Sequence, residues 1–76
     1  DKIYIGAIVS LKDLNEGDEF QYMLVSPEEA DYEENKISLF SPIGKALMGK
    51  AEGEELDIQV PAGTLKYKVL KIERPS

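Results

Sequence analysis

The 76-residue chain has no cysteine, no histidine and no tryptophan. Without cysteine there is no disulfide and no thiolate nucleophile, and without imidazole there is no Cys/His or Ser/His/Asp relay. The sulfur and nitrogen ligands on which zinc sites are usually built are therefore lacking. No apolar run approaches the roughly 20 residues that cross a bilayer, and no basic-then-apolar segment opens the chain. A soluble, cytoplasmic protein is the expectation. Asp1 stands where an initiator methionine would, which suggests a processed protein or a domain cut from something longer.

Positive charge is also scarce, with nine Lys and Arg against 15 Asp and Glu, a net charge of −6. Nucleic-acid affinity comes largely from lysines and arginines that displace counterions from phosphates, so protein partners are favoured over nucleic acid. The acids fall mostly in three patches, Asp13 to Glu19, Glu28 to Glu34 and Glu52 to Asp57, which read as solvated turns. Lys66, Lys68, Lys71 and Arg74 gather near the C-terminus. At this length residues 1–76 form one domain, close to the size where a hydrophobic core is only just sufficient.

What is present is mostly period-2 alternation. Ile3, Ile5, Ala7, Val9 and Leu11 occupy alternate positions, and a strand is expected from about Ala7 to Lys12. "NEGDE" turns the chain into a second strand carrying Phe20, Tyr22 and Leu24, which makes a hairpin. "NKISLF" predicts a third short strand with Ile37 and Leu39 on one face and Ser38 and Phe40 on the other. Leu56, Ile58 and Val60, then "PAGT", then Leu65, Tyr67 and Val69 predict a second hairpin. The alternation slips across Val69, Leu70 and Ile72, which points to a bulge or to a strand buried on both faces.

Two phrases begin Ser-Pro. Ser26-Pro27-Glu28-Glu29 has the pattern of a capping box, but few apolar residues follow, so one surface turn is expected. Ser41-Pro42 is followed by Ile43, Ala46 and Leu47 at i, i+3 and i+4, a packing face for a helix over about 42–48, with Gly49 as a left-handed stop. Ser41 and Pro42 are structural in the first instance, as cap and first-turn residue. Gly44 inside this helix implies either close packing against a neighbouring backbone or an approach surface for a partner. Lys45 should be exposed, and an aromatic at Phe40 is by general habit a core residue.

Catalytic patterns fail on inspection. Asp13-x-Asn15 resembles the start of a calcium loop, but Asp18 occupies the sixth position, where glycine is needed, and Leu24 the twelfth, where a bidentate glutamate closes the site. No phosphate-binding glycine loop is present, and paired-carboxylate hydrolysis needs a cleft between its acids. No enzymatic activity, cofactor or metal site is expected.

The ordered blocks "GAIV", "YMLVSPEEAD", "NKISLFSPIGKALMGK", "GEELDIQVPAG" and "KYKVLKIE" resemble the C-terminal domain of the bacterial GreA/GreB transcript-cleavage factors. The resemblance implies an FKBP-like α+β fold, a curved antiparallel sheet of about five short strands with one short helix. It also implies docking on the β′ subunit of RNA polymerase, at a coiled coil on the rim of the secondary channel. A separate N-terminal coiled coil, absent here, enters that channel and carries acids that help hold the catalytic magnesium. The residues carried over by the resemblance are Phe40, Ser41 and Pro42, with Lys45 beside them. Phe40 departs from the polar or acidic residue the family often has there. A monomer is expected. Two rival readings are a Gre-like polymerase binder that does not stimulate cleavage, and an FKBP-like prolyl isomerase, for which a chain with 8% aromatics and no tryptophan is poorly supplied.

Overall fold

A computed structural model describes residues 2–75. Eight short elements follow one another: β1 (Ile8–Asp13), β2 (Glu19–Val25), single 3₁₀ turns at Pro27–Glu29 and Tyr32–Glu34, β3 (Lys36–Ser38), α1 (Pro42–Leu47), β4 (Glu55–Val60) and β5 (Gly63–Glu73). The strands form one sheet in the order β3-β2-β1-β5-β4. Both expected hairpins are present, β1 with β2 and β4 with β5, and β1 closes the sheet by pairing antiparallel with β5. The fold is α+β. Its sheet is antiparallel except at the β3 edge, where β3 runs parallel to β2 and so makes the sheet mixed. The ten residues between β2 and β3 carry the chain back far enough for that parallel pairing, by way of the two 3₁₀ turns.

The alternation in the sequence maps onto one concave face. Val9, Leu11, Leu24, Leu56, Ile58, Tyr67 and Val69 are all buried, and Leu47 of the helix sits among them, fully enclosed. Among the described residues no polar or charged residue is buried. The helix touches β4 and β3, the two opposite edges of the sheet order, which requires the sheet to curl around it. Phe20 packs edge-on against both Tyr22 and Tyr67, with ring centroids 5.3 Å apart in each pair.

The slip at Val69 to Ile72 is a bulge. Ser10 pairs with Lys71 and Leu11 with Val69, so Leu70 faces no partner on β1. One extra residue reverses the parity of the strand, which is why both Val69 and Ile72 reach the core. In the β4–β5 turn, Pro61 is barred from the positive φ that the common two-residue hairpin turns require, and Gly63 takes the unusual angle instead, at φ +139.

The N-terminal alternation is interrupted. Ile3 is fully buried, but Ile5 is half-exposed, because a turn closed by the Ala7 N–H on the Tyr4 carbonyl (3.0 Å) precedes β1. Ile3 is held instead by the residues after the helix: its N–H donates to the Lys50 carbonyl and its carbonyl accepts from the Gly49 N–H, each at 2.8 Å.

Leu47→Ala removes the one fully buried helical side chain and is expected to cost about 2–5 kcal/mol, against a typical domain stability of about 5–15 kcal/mol. Urea denaturation measures the loss. Burial raises the pKa of the Tyr67 phenol above 10.0, with Tyr22 and Asp13 adding to the effect. The native state then holds this proton more tightly than the unfolded chain, so the contribution is complete below the unfolded pKa and is lost as pH rises through the folded one. Stability should therefore fall above about pH 10, and part of that fall should vanish in Tyr67→Phe when unfolding is compared at pH 9 and pH 11.

Candidate functional site

Between β3 and α1 the chain turns a corner in which almost every polar group is committed. The Leu39 N–H donates to the Val25 carbonyl at 3.0 Å, which anchors the turn to β2. The Phe40 N–H donates to the Ser38 hydroxyl at 3.0 Å. The Ser41 N–H and the Ser41 hydroxyl both donate to the Ser38 carbonyl, at 3.0 and 2.7 Å. The same hydroxyl accepts from the Gly44 N–H at 3.0 Å, and the Ser41 carbonyl accepts the first helical bond from Lys45 at 2.8 Å. Ser41 is the N-cap and Pro42 the first helical residue, as the sequence predicts.

Gly44 is buried at the centre of this corner. A Cβ built there would lie 2.2 Å from the Ser38 carbonyl oxygen and 3.0 Å from the Leu39 Cα. Of the two readings of Gly44, close packing against a neighbouring backbone is the one the structure supports. The helix runs from Pro42 to Leu47, and Met48 leaves it in an extended conformation while Gly49 follows at φ +82.

The second Ser-Pro phrase shows what makes this corner different. Ser26 and Ser41 have nearly the same backbone angles, φ −70 and ψ 159 against φ −69 and ψ 159. Yet Ser26 makes no cap bond to the backbone, and its hydroxyl donates to the Glu29 carboxylate at 3.3 Å. The N–H three residues on, that of Glu29, donates instead to the Ser26 carbonyl at 3.0 Å and closes a single 3₁₀ turn. Gly44, in the same relative position, offers only its N–H.

Phe40, Pro42 and Lys45 are the exposed members of the corner. Phe40 is 63% exposed, against the general habit of aromatics, because the bonds on either side of it fix its backbone at the outside of the turn. Pro42 and Lys45 are separated by three residues, which sets both on the solvent side of the helix, opposite Leu47 and the half-buried Ile43 and Ala46. Ser41 is half-buried and works within the turn. The structure thus brings all four predicted residues to one corner, three presenting side chains and Ser41 holding them. Ser38 is the residue the sequence reading missed. Alternation puts it only on the face of β3 opposite Ile37, whereas its carbonyl and hydroxyl organise the corner; a second serine three residues before the cap is the available signal.

Comparison with known proteins agrees with this architecture. A family profile described as "Transcription elongation factor, GreA/GreB, C-term" matches residues 1–74. The chain belongs to the GreA/GreB family. Transcription elongation factor GreA of Chloroherpeton thalassium is 55% identical over 73 residues, which is 96% of this chain and 46% of that protein. GreA of Prosthecochloris aestuarii is 51% identical over 74 residues, 95% of this chain and again 46% of the relative. The crystal structure of GreA factor homolog 1 (Gfh1) of Thermus thermophilus superposes with a TM-score of 0.83 at 36% identity, covering 96% of this chain and 49% of that one. This GreA/GreB domain therefore spans about half the length of the curated relatives it matches.

Gly44→Ala tests the corner directly. Alanine gains about 1 kcal/mol of intrinsic helix propensity, but its methyl must displace backbone, and overpacking of this kind costs about 1–3 kcal/mol. Net destabilisation is expected in urea titration, and a variant more stable than the parent would show that the Ser38 carbonyl moves aside freely. Ser41→Ala should lose about 0.5–2 kcal/mol with its cap.

Proposed function

We propose that this domain docks on bacterial RNA polymerase, at the coiled coil of the β′ subunit on the rim of the secondary channel. A coiled coil in the remainder of a longer chain would then be placed to stimulate cleavage of backtracked RNA. The carrying observation is the corner itself: in a GreA/GreB-family domain, Phe40, Pro42 and Lys45 are exposed on a turn whose backbone is tied down on both sides. Such a turn has little conformational freedom left to lose on binding. The domain's role is attachment, carried out as a monomer in the bacterial cytoplasm, and it supplies no catalytic group of its own.

A second reading is a Gre-like polymerase-binding regulator that does not stimulate cleavage. Docking through this corner is common to both readings. Acids at the tip of the coiled coil in the longer chain favour cleavage, and their absence favours regulation alone.

Titration calorimetry of the domain against a β′ coiled-coil fragment is expected to show saturable binding. Pro42→Ala, with the fold retained by circular dichroism, should weaken it by about fivefold or more. No heat of binding from the parent domain at high micromolar concentration would overturn the docking role. An effect confined to Leu47→Ala would make the corner structural alone.

A further inference from the structure

The two edges of the sheet are finished differently. At the β3 edge Lys36 exchanges both backbone hydrogen bonds with Asp31, each at 2.9 Å, and the Ser38 carbonyl is taken by Ser41, so this short strand is capped by its own chain. At the other edge β4 runs regularly through six residues, all of them paired with β5. Only Pro61 and Ala62 separate its last pair, Val60 with Gly63, which makes that a hydrogen-bonded pair. Such pairs recur at every second residue, so Ile58 with Leu65 and Leu56 with Tyr67 follow. The backbone groups of Glu55, Asp57 and Gln59 therefore point away from β5. Among the described residues no backbone group outside β5 hydrogen-bonds to them, and all three residues are exposed.

We infer that the free edge of β4 receives an extended segment of another protein, added as a sixth strand, in which apolar and basic residues alternate. β5 displays the rule from the other side of β4. Lys66 and Lys68 lie across from Asp57 and Glu55 on the outer face, and Leu65 and Tyr67 across from Ile58 and Leu56 on the core face. Each side chain of β4 stands between its two neighbouring strands, so an incoming strand meets the same row that β5 meets. Carboxylates at Glu55 and Asp57 favour cations opposite them, and Leu56, Ile58 and Val60 favour apolar side chains. Main-chain bonds supply the affinity and the alternation supplies the selection. A second copy of the chain is a poor occupant. In the symmetric antiparallel register that uses every free group, Asp57 stands opposite Asp57 of the other copy, and each copy carries a net charge of −6. The edge lies on β4 rather than at the β3–α1 corner, so its use does not depend on docking there.

The test is an NMR titration of the chain with the end-capped hexapeptide TLKYKV, the sequence of residues 64–69, and with TLEYEV, in which glutamate replaces both lysines. Amide shifts are expected to centre on Glu55, Asp57 and Gln59, whose N–H groups should exchange fast in the free chain and more slowly with TLKYKV bound. TLEYEV should bind about tenfold more weakly at low salt, with the gap narrowing as salt rises. Glu55→Gln combined with Asp57→Asn should remove most of that preference. Gln59→Pro deletes an N–H that faces solvent, a place where an edge strand tolerates proline, and should weaken TLKYKV by about fivefold. Shifts confined to other residues, equal binding of the two peptides, or unchanged affinity in a folded Gln59→Pro would overturn the inference. Should that variant not fold, hydrogen exchange decides the same point, and amides left unprotected under saturating peptide are the contrary result. Absence of binding at millimolar peptide would overturn it too, and a dimer in sedimentation that added TLKYKV dissociates would assign the edge to a second copy instead.

Discussion

The approach of Gly44 to the Ser38 carbonyl is the constraint on which the rest of the molecule depends. A two-turn helix has too few hydrogen bonds to be stable alone, so α1 exists only where tertiary contact holds it. The absent side chain at Gly44 lets the first turn of the helix press against the end of β3, and the Ser41 hydroxyl fills the remaining space by bonding to both. That contact sets where Leu47 enters the core. Leu47 in turn lies under the curl of a sheet whose two edge strands both touch the helix. Loss of the close approach would therefore be felt at β3 and β4 together, although these strands are farthest apart in the sheet order.

Much of this was legible in the sequence because strand parity and helical spacing are local properties. Both hairpins and the inward face of Ile43, Ala46 and Leu47 follow from counting residues, while the slip across Val69 to Ile72 leaves a bulge and a strand buried on both faces equally open until the pairing with β1 decides for the bulge. The parallel pairing of β3 with β2 does not, since a three-residue strand carries no mark of its direction and the choice is made by the path of the ten residues before it. Ile5 continues a perfect alternation in the sequence and is nevertheless half-exposed, because the Tyr4–Ala7 hydrogen bond turns the chain there. Phe40 ran against hydrophobicity for a similar reason. Its side chain follows a backbone that Ser38 and Ser41 have already fixed.

The charges follow the same division between local rule and tertiary placement. On the outer face of the sheet, Glu55 pairs with Lys68, Lys68 with Lys12, and Lys12 with Glu19, so two adjacent lysines are flanked by carboxylates on both sides. Asp57 and Lys66 form another opposite-charge pair on β4 and β5. Cross-strand neighbours of opposite sign are worth a few tenths of a kcal/mol each, and like charges directly opposite cost a similar amount. Acids of β4 thus lie directly across from two lysines of the C-terminal strand, Lys66 and Lys68. The helix face is the contrasting case, because its strand neighbours face it with apolar side chains and leave Lys45 to solvent.

The exposed side chains of the corner depend on its rigidity. A flexible loop carrying phenylalanine and lysine would spread both groups over many positions. Here the serine bonds fix Phe40, while the packing of Leu47 fixes the rotation of the helix and with it the direction of Pro42 and Lys45. A buried residue can consequently alter the exposed surface. Gly44 is the clearest instance: a methyl group there would meet the Ser38 carbonyl and the Leu39 backbone, so the first helical turn and the turn that carries Phe40 could not both keep their places. The stability of the helix and the placement of its exposed side chains are two consequences of one backbone contact.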